Sequence, residues 1–244
     1  MIRVIRNPFS EDINEKLSGI MEKSLQEVVK FAWYQNDQKI LIGEGIVPVP
    51  EWKDRIDRDS LMELYNEKES LDVNNTKNLF HVNDDVASDN NKNDIEKIRN
   101  ILVDQYKGEV RLSGNFYYPP TGYMGWHTNC GFPCERFYIT WASEDKKSFF
   151  RYYDYEKDEI ITDYDDKGLT VRQFNIPDRA PHLWHCVGSE CDRLSIGFRV
   201  ICNVKLDIDT YIKLQERIEG KEGKHSNLRT DYVTELINND EKYN

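Results

Sequence analysis

From Glu109 to Cys202 the chain runs as short stretches rich in Tyr, Phe, Val, Ile and Thr, broken by turns. No other feature constrains the fold as strongly, because these side chains favour strands and the breaks recur at short intervals. The predicted strands are 109–118, 122–128, 135–142, 148–154, 159–163, 169–176, 182–187 and 193–202. Eight short strands joined by turns predict a sandwich or a jelly roll.

The flanks read differently. Residues 2–6 suit a short strand. From Ser10 to about Trp33, Ile13, Leu17, Ile20, Met21, Leu25 and Val28 recur at helical spacing. Ser10 followed by Glu11 and Asp12 suits a helix start. Further helices are predicted over 60–68 and 94–106, the latter with Ile95, Ile98, Ile101 and Leu102 on one side. The two prolines of 46–50 call for extended chain, and the polar residues 82–94 read as a surface loop. Helices are expected again at 205–218 and 230–238. The class is therefore α+β in three parts: a mainly helical region 1–108 packed on the core, the strands of 109–202, and a helical tail 203–244.

Hydrophobic residues make up only 39% of the chain while aromatics reach 12%, so the core leans on Tyr, Phe and Trp. The net charge of −11, from 44 acids and 33 bases, repels phosphate backbones and does not favour nucleic acid as a partner. No apolar run is long enough to span a membrane, and Met1–Arg6 lacks the apolar stretch of a signal peptide. A soluble, cytoplasmic protein is expected. The five cysteines, Cys130, Cys134, Cys186, Cys191 and Cys202, are an odd number and are expected to be reduced. Neither near pair has the two-residue spacing of a zinc knuckle.

The chemistry centres on two histidines. His127 and His185 lie 58 positions apart, each on a predicted strand. Residues i and i+2 of a strand share a face, so His127 and Asn129 can converge on one point. Two imidazoles and an oxygen donor on one side of a metal, with open positions opposite, suit non-haem iron(II). Ordinary packing of two histidines is the alternative. His182 competes with His185 but has the opposite strand parity, and His185 is preferred because it sits between Trp184 and Cys186. Arg193, Ser195, Gly197 and Arg199 share one face of the last strand, opposite Leu194, Ile196, Phe198 and Val200. If that polar face meets a cavity, a buried arginine there needs an anionic partner. A dicarboxylate would supply one through a bidentate fork. If it meets water, the arginines are simply solvated.

Taken together, Asn115-x-Tyr117-x-Pro119, His127-x-Asn129, His185 and Arg193-x-Ser195-x-x-x-Arg199 resemble the iron(II)/2-oxoglutarate-dependent dioxygenases, in the AlkB-type arrangement. Tyr-Pro-Pro-Thr-Gly-Tyr before His127 is similar to the prolyl-hydroxylase group, and Gly-Trp-His-Thr-Asn to 2-oxoglutarate oxygenases common in phage genomes. The resemblance covers about residues 109–202 and implies a double-stranded β-helix (jelly roll) core with flanking helices. It implies His127 and His185 as iron(II) ligands, with Asn129 in the position of the usual carboxylate. It also implies Arg193, Arg199 and Tyr117 as 2-oxoglutarate contacts, with Tyr118 the alternative if the register slips by one. Asn115 and Ser195 would assist, and Tyr138 and Thr140 would line the same pocket. An amide at Asn129 brings no charge, and Glu135 is a carboxylate that could help. The activity implied is hydroxylation or oxidative demethylation of a C–H bond in a small molecule or a side chain. The alternative is a catalytically silent jelly roll, a binding or virion protein. Convergence of His127, His185 and Arg193 on one cavity separates the two. A cupin-like metal enzyme without 2-oxoglutarate is a third reading, disfavoured by the two arginines.

Overall fold

In the computed structural model, residues 4–35, 51–67, 77–82, 89–129, 134–176 and 183–201 are described. Eight strands carry the core: β4 (Glu109–Tyr118), β5 (Tyr123–His127), β6 (Cys134–Ala142), β7 (Ser148–Asp154), β8 (Glu159–Tyr164), β9 (Gly168–Ile176), β10 (His185–Ser189) and β11 (Arg193–Ile201). They pair as a hairpin folded on itself. The first pairs with the last, β5 with β10, β6 with β9 and β7 with β8, all antiparallel. Successive pairs fall alternately in two sheets, which is a jelly roll, or double-stranded β-helix. Short outer strands β1 (Val4–Arg6), β2 (Lys77–Asn78) and β3 (Phe80–His81) extend them. The sheet orders are β1-β9-β6-β11-β4-β3 and β2-β5-β10-β7-β8.

Strand alternation assigns the two faces of each sheet. On β11, Leu194, Ile196, Phe198 and Val200 enter a core cluster with Val110 and Tyr117 of β4 and Phe137 and Ile139 of β6. That outer face is covered by α1 (Glu11–Gln35) and α3 (Asp89–Tyr106). The helical spacing in α1 places Leu17, Met21, Leu25 and Val28 in the same cluster. Glu11 and Asp12 occupy its first turn, where the helix dipole favours acids.

α3 begins at Asp89, five residues before the sequence-based start, and this corrects the loop expected over 82–94. The early turns look like a loop because they are polar, yet their polar groups are satisfied internally. Asn91 Oδ1 accepts from Asn115 Nδ2 (3.0 Å), and Asp94 accepts from Ser24 Oγ (3.1 Å) and Lys97 Nζ (2.7 Å). Buried polar groups are tolerated when bonded in this way.

The five-stranded sheet is covered by a 3-10 turn (Trp52–Arg55) and α2 (Arg58–Glu67). Trp52, Ile56 and Leu61 pack with Trp126, Trp184 and Cys186. Trp126 Nε1 donates to the Asp57 carbonyl (2.7 Å). Gly188 of β10 permits the close approach, since a Cβ there would meet the Trp52 ring at 2.5 Å. The inner faces enclose Leu79, Tyr118, Phe150, Phe174, Leu183 and Val187.

The expected extended segment 46–50, the helices 205–218 and 230–238, His182, Cys130 and Cys202 lie outside the described residues. Cys134, Cys186 and Cys191 are free thiols, and burial pushes the Cys186 thiol well up. Among the described residues no helix is long and apolar enough to cross a membrane.

Candidate metal and anion site

The nested pairing brings the two histidines together. His127 ends β5, His185 opens β10, and the register sets them directly opposite. Their ring centroids are 4.1 Å apart. The Nδ1 of His127 is 2.9 Å from the Gly125 carbonyl, and that of His185 is 2.9 Å from the Leu183 carbonyl. A carbonyl only accepts, so each Nδ1 carries the proton and each Nε2 keeps its lone pair. This second contact is how ligating histidines are usually oriented. Burial pushes the His127 imidazole down to about 4 and that of His185 well below its ordinary value. Both rings are therefore neutral near neutral pH, the state a metal requires.

Asn129 completes the cluster. Its Nδ2 donates to the Tyr138 hydroxyl (2.7 Å) and lies 3.0 Å from His185 Nε2. The Tyr138 hydroxyl is 3.4 Å from the same nitrogen. Turning the amide over would bring Oδ1 to this point without moving the backbone. Tyr138 is held edge-on to Phe174 (5.0 Å) and Phe150 (5.9 Å). Gly197 on the neighbouring strand leaves room for it, since a Cβ there would sit 3.2 Å from the Tyr138 ring.

A cavity of about 260 Å³ opens onto these groups, lined by His127, Asn129, Tyr138, Tyr118, Ser195 and Arg136 among others. Its charged lining residues are Arg136 and Lys77; no carboxylate lines it among the described residues. Nor do those residues contain a group of three or more His, Cys, Asp or Glu side chains placed to hold a metal ion. An ion here would be held by two imidazoles and neutral oxygens. Such a donor set fits a divalent metal that takes its negative charge from a bound anion.

The remaining expected contacts divide. Tyr118 and Ser195 face the cavity. Asn115 and Tyr117 do not, which corrects the expected 2-oxoglutarate contacts at both. They have the opposite parity on β4 and lie on the helix side. Asn115 donates to the Val82 carbonyl and Asn91, while Tyr117 stacks on Phe80 and donates to Asp192 (2.6 Å). Glu135 also points to that side, accepting from Gln173 (3.3 Å), so it cannot serve the histidines.

Arg193 is fully buried, but Asp165 already answers its need for an anion. Arg193 Nε donates to Asp165 Oδ2 (2.9 Å) and Nη2 to Thr140 Oγ1 (3.3 Å). Asp165 also pairs with the buried Arg172, which in turn binds Asp163 (2.7 Å). The two guanidinium groups outweigh burial and hold the Asp165 carboxyl well below the usual range. One donor is left over: Arg193 Nη1 is buried without a hydrogen-bond partner. Its guanidinium lies over the Tyr118 ring (4.9 Å).

Arg199 stands opposite Arg136 near the other end of the sheet. Six strand residues separate it from Arg193, about 20 Å, and neither arginine is among the residues that line the cavity. Arg136 and Asp165 escaped the sequence reading. Arg136 shares its strand face with Tyr138 and Thr140, and that parity could have flagged it. Asp165 lies between two strands and reaches Arg193 only through the fold, so no local pattern marks it.

No protein-family model matches the chain, and no curated protein matches it in sequence. Among solved structures, it is similar to a prolyl hydroxylase from Trichoplax adhaerens, in complex with a hypoxia inducible factor oxygen degradation domain peptide fragment. The identity is 8% and the TM-score 0.43, over 82% of this chain and 83% of that one. A Pseudomonas putida prolyl-4-hydroxylase gives 10% identity and a TM-score of 0.37, over 65% of this chain and 90% of that one. A protein assigned as an oxygenase from Shewanella oneidensis gives 12% identity and a TM-score of 0.44, over 90% and 91%. These likenesses concern the course of the chain and assign no role to any residue.

Proposed function

We propose that this chain is an iron(II)- and 2-oxoglutarate-dependent oxygenase that hydroxylates or oxidatively demethylates a C–H bond in a small molecule or a side chain. One observation carries the reading: His127 and His185 are cross-strand neighbours whose Nδ1 protons are both committed to backbone carbonyls, so each Nε2 keeps a lone pair, that of His185 turned to the Asn129 amide. Two packed histidines need no such pair of fixed tautomers.

With iron(II) and 2-oxoglutarate bound, the site would supply oxidation by O₂, with the 2-oxo acid leaving as succinate and CO₂. The chain's own groups have simpler tasks. His127 and His185 would hold the ion, and Asn129, its amide turned over, would offer the oxygen. Tyr138 fixes the Asn129 side chain by their hydrogen bond. The unpartnered Arg193 Nη1, the Tyr118 hydroxyl and Ser195 would meet the distal carboxylate of the 2-oxo acid. Phe150 and Phe174 pack on the His185 ring and keep water from its buried side.

The test is an anaerobic titration of the metal-free protein with iron(II) and 2-oxoglutarate, following the visible charge-transfer band of the chelated complex. The wild type should develop the band, and His127→Ala and His185→Ala should lose both band and iron binding while remaining folded. Unchanged iron binding in either variant removes the central claim. No band in folded wild type would favour a jelly roll that binds without iron, a reading to which the neutral Asn129 lends support.

A further inference from the structure

We propose that Arg136 is an oxyanion-recognition residue, and that the molecule oxidised at this site carries a carboxylate or phosphate group. Calling that molecule the substrate rests on the oxygenase reading; the oxyanion site itself does not.

The inner face of β6 presents Arg136, Tyr138 and Thr140 in succession. Thr140 accepts from Arg193, and Tyr138 stands at the histidines. Arg136 lies two residues beyond Tyr138 in the other direction. Arg136 and the Thr140 that meets Arg193 are thus about 13 Å apart along the strand, with Tyr138 between them. The two arginines differ in charge balance. Arg193 is matched by Asp165, whereas no carboxylate pairs with Arg136 among the described residues. Arg136 is only 9% exposed, lines the cavity, and its Nε has no hydrogen-bond partner.

Its near neighbour on the same face, Cys134, is no substitute for an anion. Burial pushes the Cys134 thiol up, so it stays protonated near neutral pH. A buried cation without a counter-charge is costly, and its natural complement is a ligand anion. A guanidinium fork holds a carboxylate or a phosphate through paired hydrogen bonds. Lys77 adds a second positive charge at the rim, so the cavity is cationic in a chain of net charge −11.

The oxygenase reading sharpens this balance. A dianionic 2-oxo acid would neutralise a divalent ion held by neutral protein ligands. Arg193 is already neutralised by Asp165. Arg136 is the charge left over, and it lies on the far side of Tyr138 from the Thr140 that meets Arg193. A cavity of about 260 Å³ is small for a ligand pocket, so the bound part of the substrate is small as well.

The test uses full-length protein loaded anaerobically with manganese(II) and saturated with 2-oxoglutarate. Methyl phosphate, acetate and the neutral acetamide are titrated in by calorimetry, into wild type, Arg136→Gln and Arg136→Lys. At least one oxyanion should bind wild type saturably while acetamide does not, and which one binds identifies the group. Arg136→Gln should weaken that binding by about tenfold to a hundredfold, with 2-oxoglutarate affinity essentially unchanged. Arg136→Lys should recover part of the loss, because the charge returns without the fork. If the Gln variant does not fold, the Lys variant still has to bind the oxyanion more weakly than wild type.

Three results overturn the proposal: no oxyanion preference in wild type, equal binding in the variants, or loss of 2-oxoglutarate binding in their place. The last would assign Arg136 to the cosubstrate. Wild type that binds an oxyanion through Arg136 but takes up no 2-oxoglutarate would sink the oxygenase reading and leave this site standing.

Discussion

Replacing Asp165 by Asn removes one negative charge from between two buried guanidinium groups and keeps the side-chain shape. Asp165, Arg172 and Arg193 are all essentially inaccessible to solvent, and Asp165 contacts both arginines and Ser148. Each charge pair at about 4 Å is worth about 4 kcal/mol at an effective dielectric constant of about 20. Two pairs set an upper bound of about 8 kcal/mol. Asn retains an acceptor, and Arg172 retains Asp163. Breaking a buried pair by removing one partner costs about 3–5 kcal/mol, and we expect Asp165→Asn to fall in that range. In a chain of this size each kcal/mol lowers the melting temperature by about 2–4 °C. Urea denaturation read by tryptophan fluorescence measures the loss. The same substitution leaves Arg193 without its counter-charge, so 2-oxoglutarate should bind more tightly while the fold weakens. A loss of less than about 1 kcal/mol, the scale of a surface pair, would refute the buried network. A large loss with unchanged 2-oxoglutarate affinity would refute contact between Arg193 and the cosubstrate.

Other variants probe the remaining geometry. Asn129→Asp places a carboxylate 3.0 Å from His185 Nε2 and should raise iron(II) affinity at least about tenfold, given the strength of a paired charge in a partly buried site; anaerobic iron titration decides, and no change would mean that this side chain does not face the ion. Tyr118→Phe should weaken 2-oxoglutarate binding with little effect on stability, whereas Tyr117→Phe should leave binding intact and cost about 1 kcal/mol through the lost Asp192 bond. The reverse pattern would invert the assigned faces of β4. Acid should destabilise the metal-free protein through its histidines. His127 stays neutral in the fold down to about pH 4, while the unfolded chain takes up the proton near its ordinary value of about 6.5. Stability is therefore full above the unfolded value and declines between about pH 6.5 and 4. A urea midpoint that stays level or rises on acidification through this window would contradict the buried, neutral imidazoles.

The strands were legible because each carries its own signal: β-favouring side chains that alternate between two faces. That signal is local, and it located β4 at 109–118 and β7 at 148–154. Helix α1 was legible for the same reason, since one apolar stripe meets the sheet. The start of α3 was not, because Asn91 and Asp94 look like loop residues until Asn115 and Ser24 are brought to them. The histidine pair was half legible. Residue types and order suggested His127 and His185, but only the second-with-seventh strand pairing sets them face to face.

Parity within a strand could say that Arg193 and Arg199 share a face. It could not say which arginine finds a carboxylate. That outcome depends on Asp165, 28 residues from Arg193 and carried to it by the packing of the two sheets. Arg136, on the far side of Tyr138, meets no such group among the described residues. The sequence by itself determined the strands, their faces and the stock of donors. Tertiary structure alone decided which charges are cancelled and which remain for a ligand, because charge pairing depends on distance in space and on burial, and neither is written in local order.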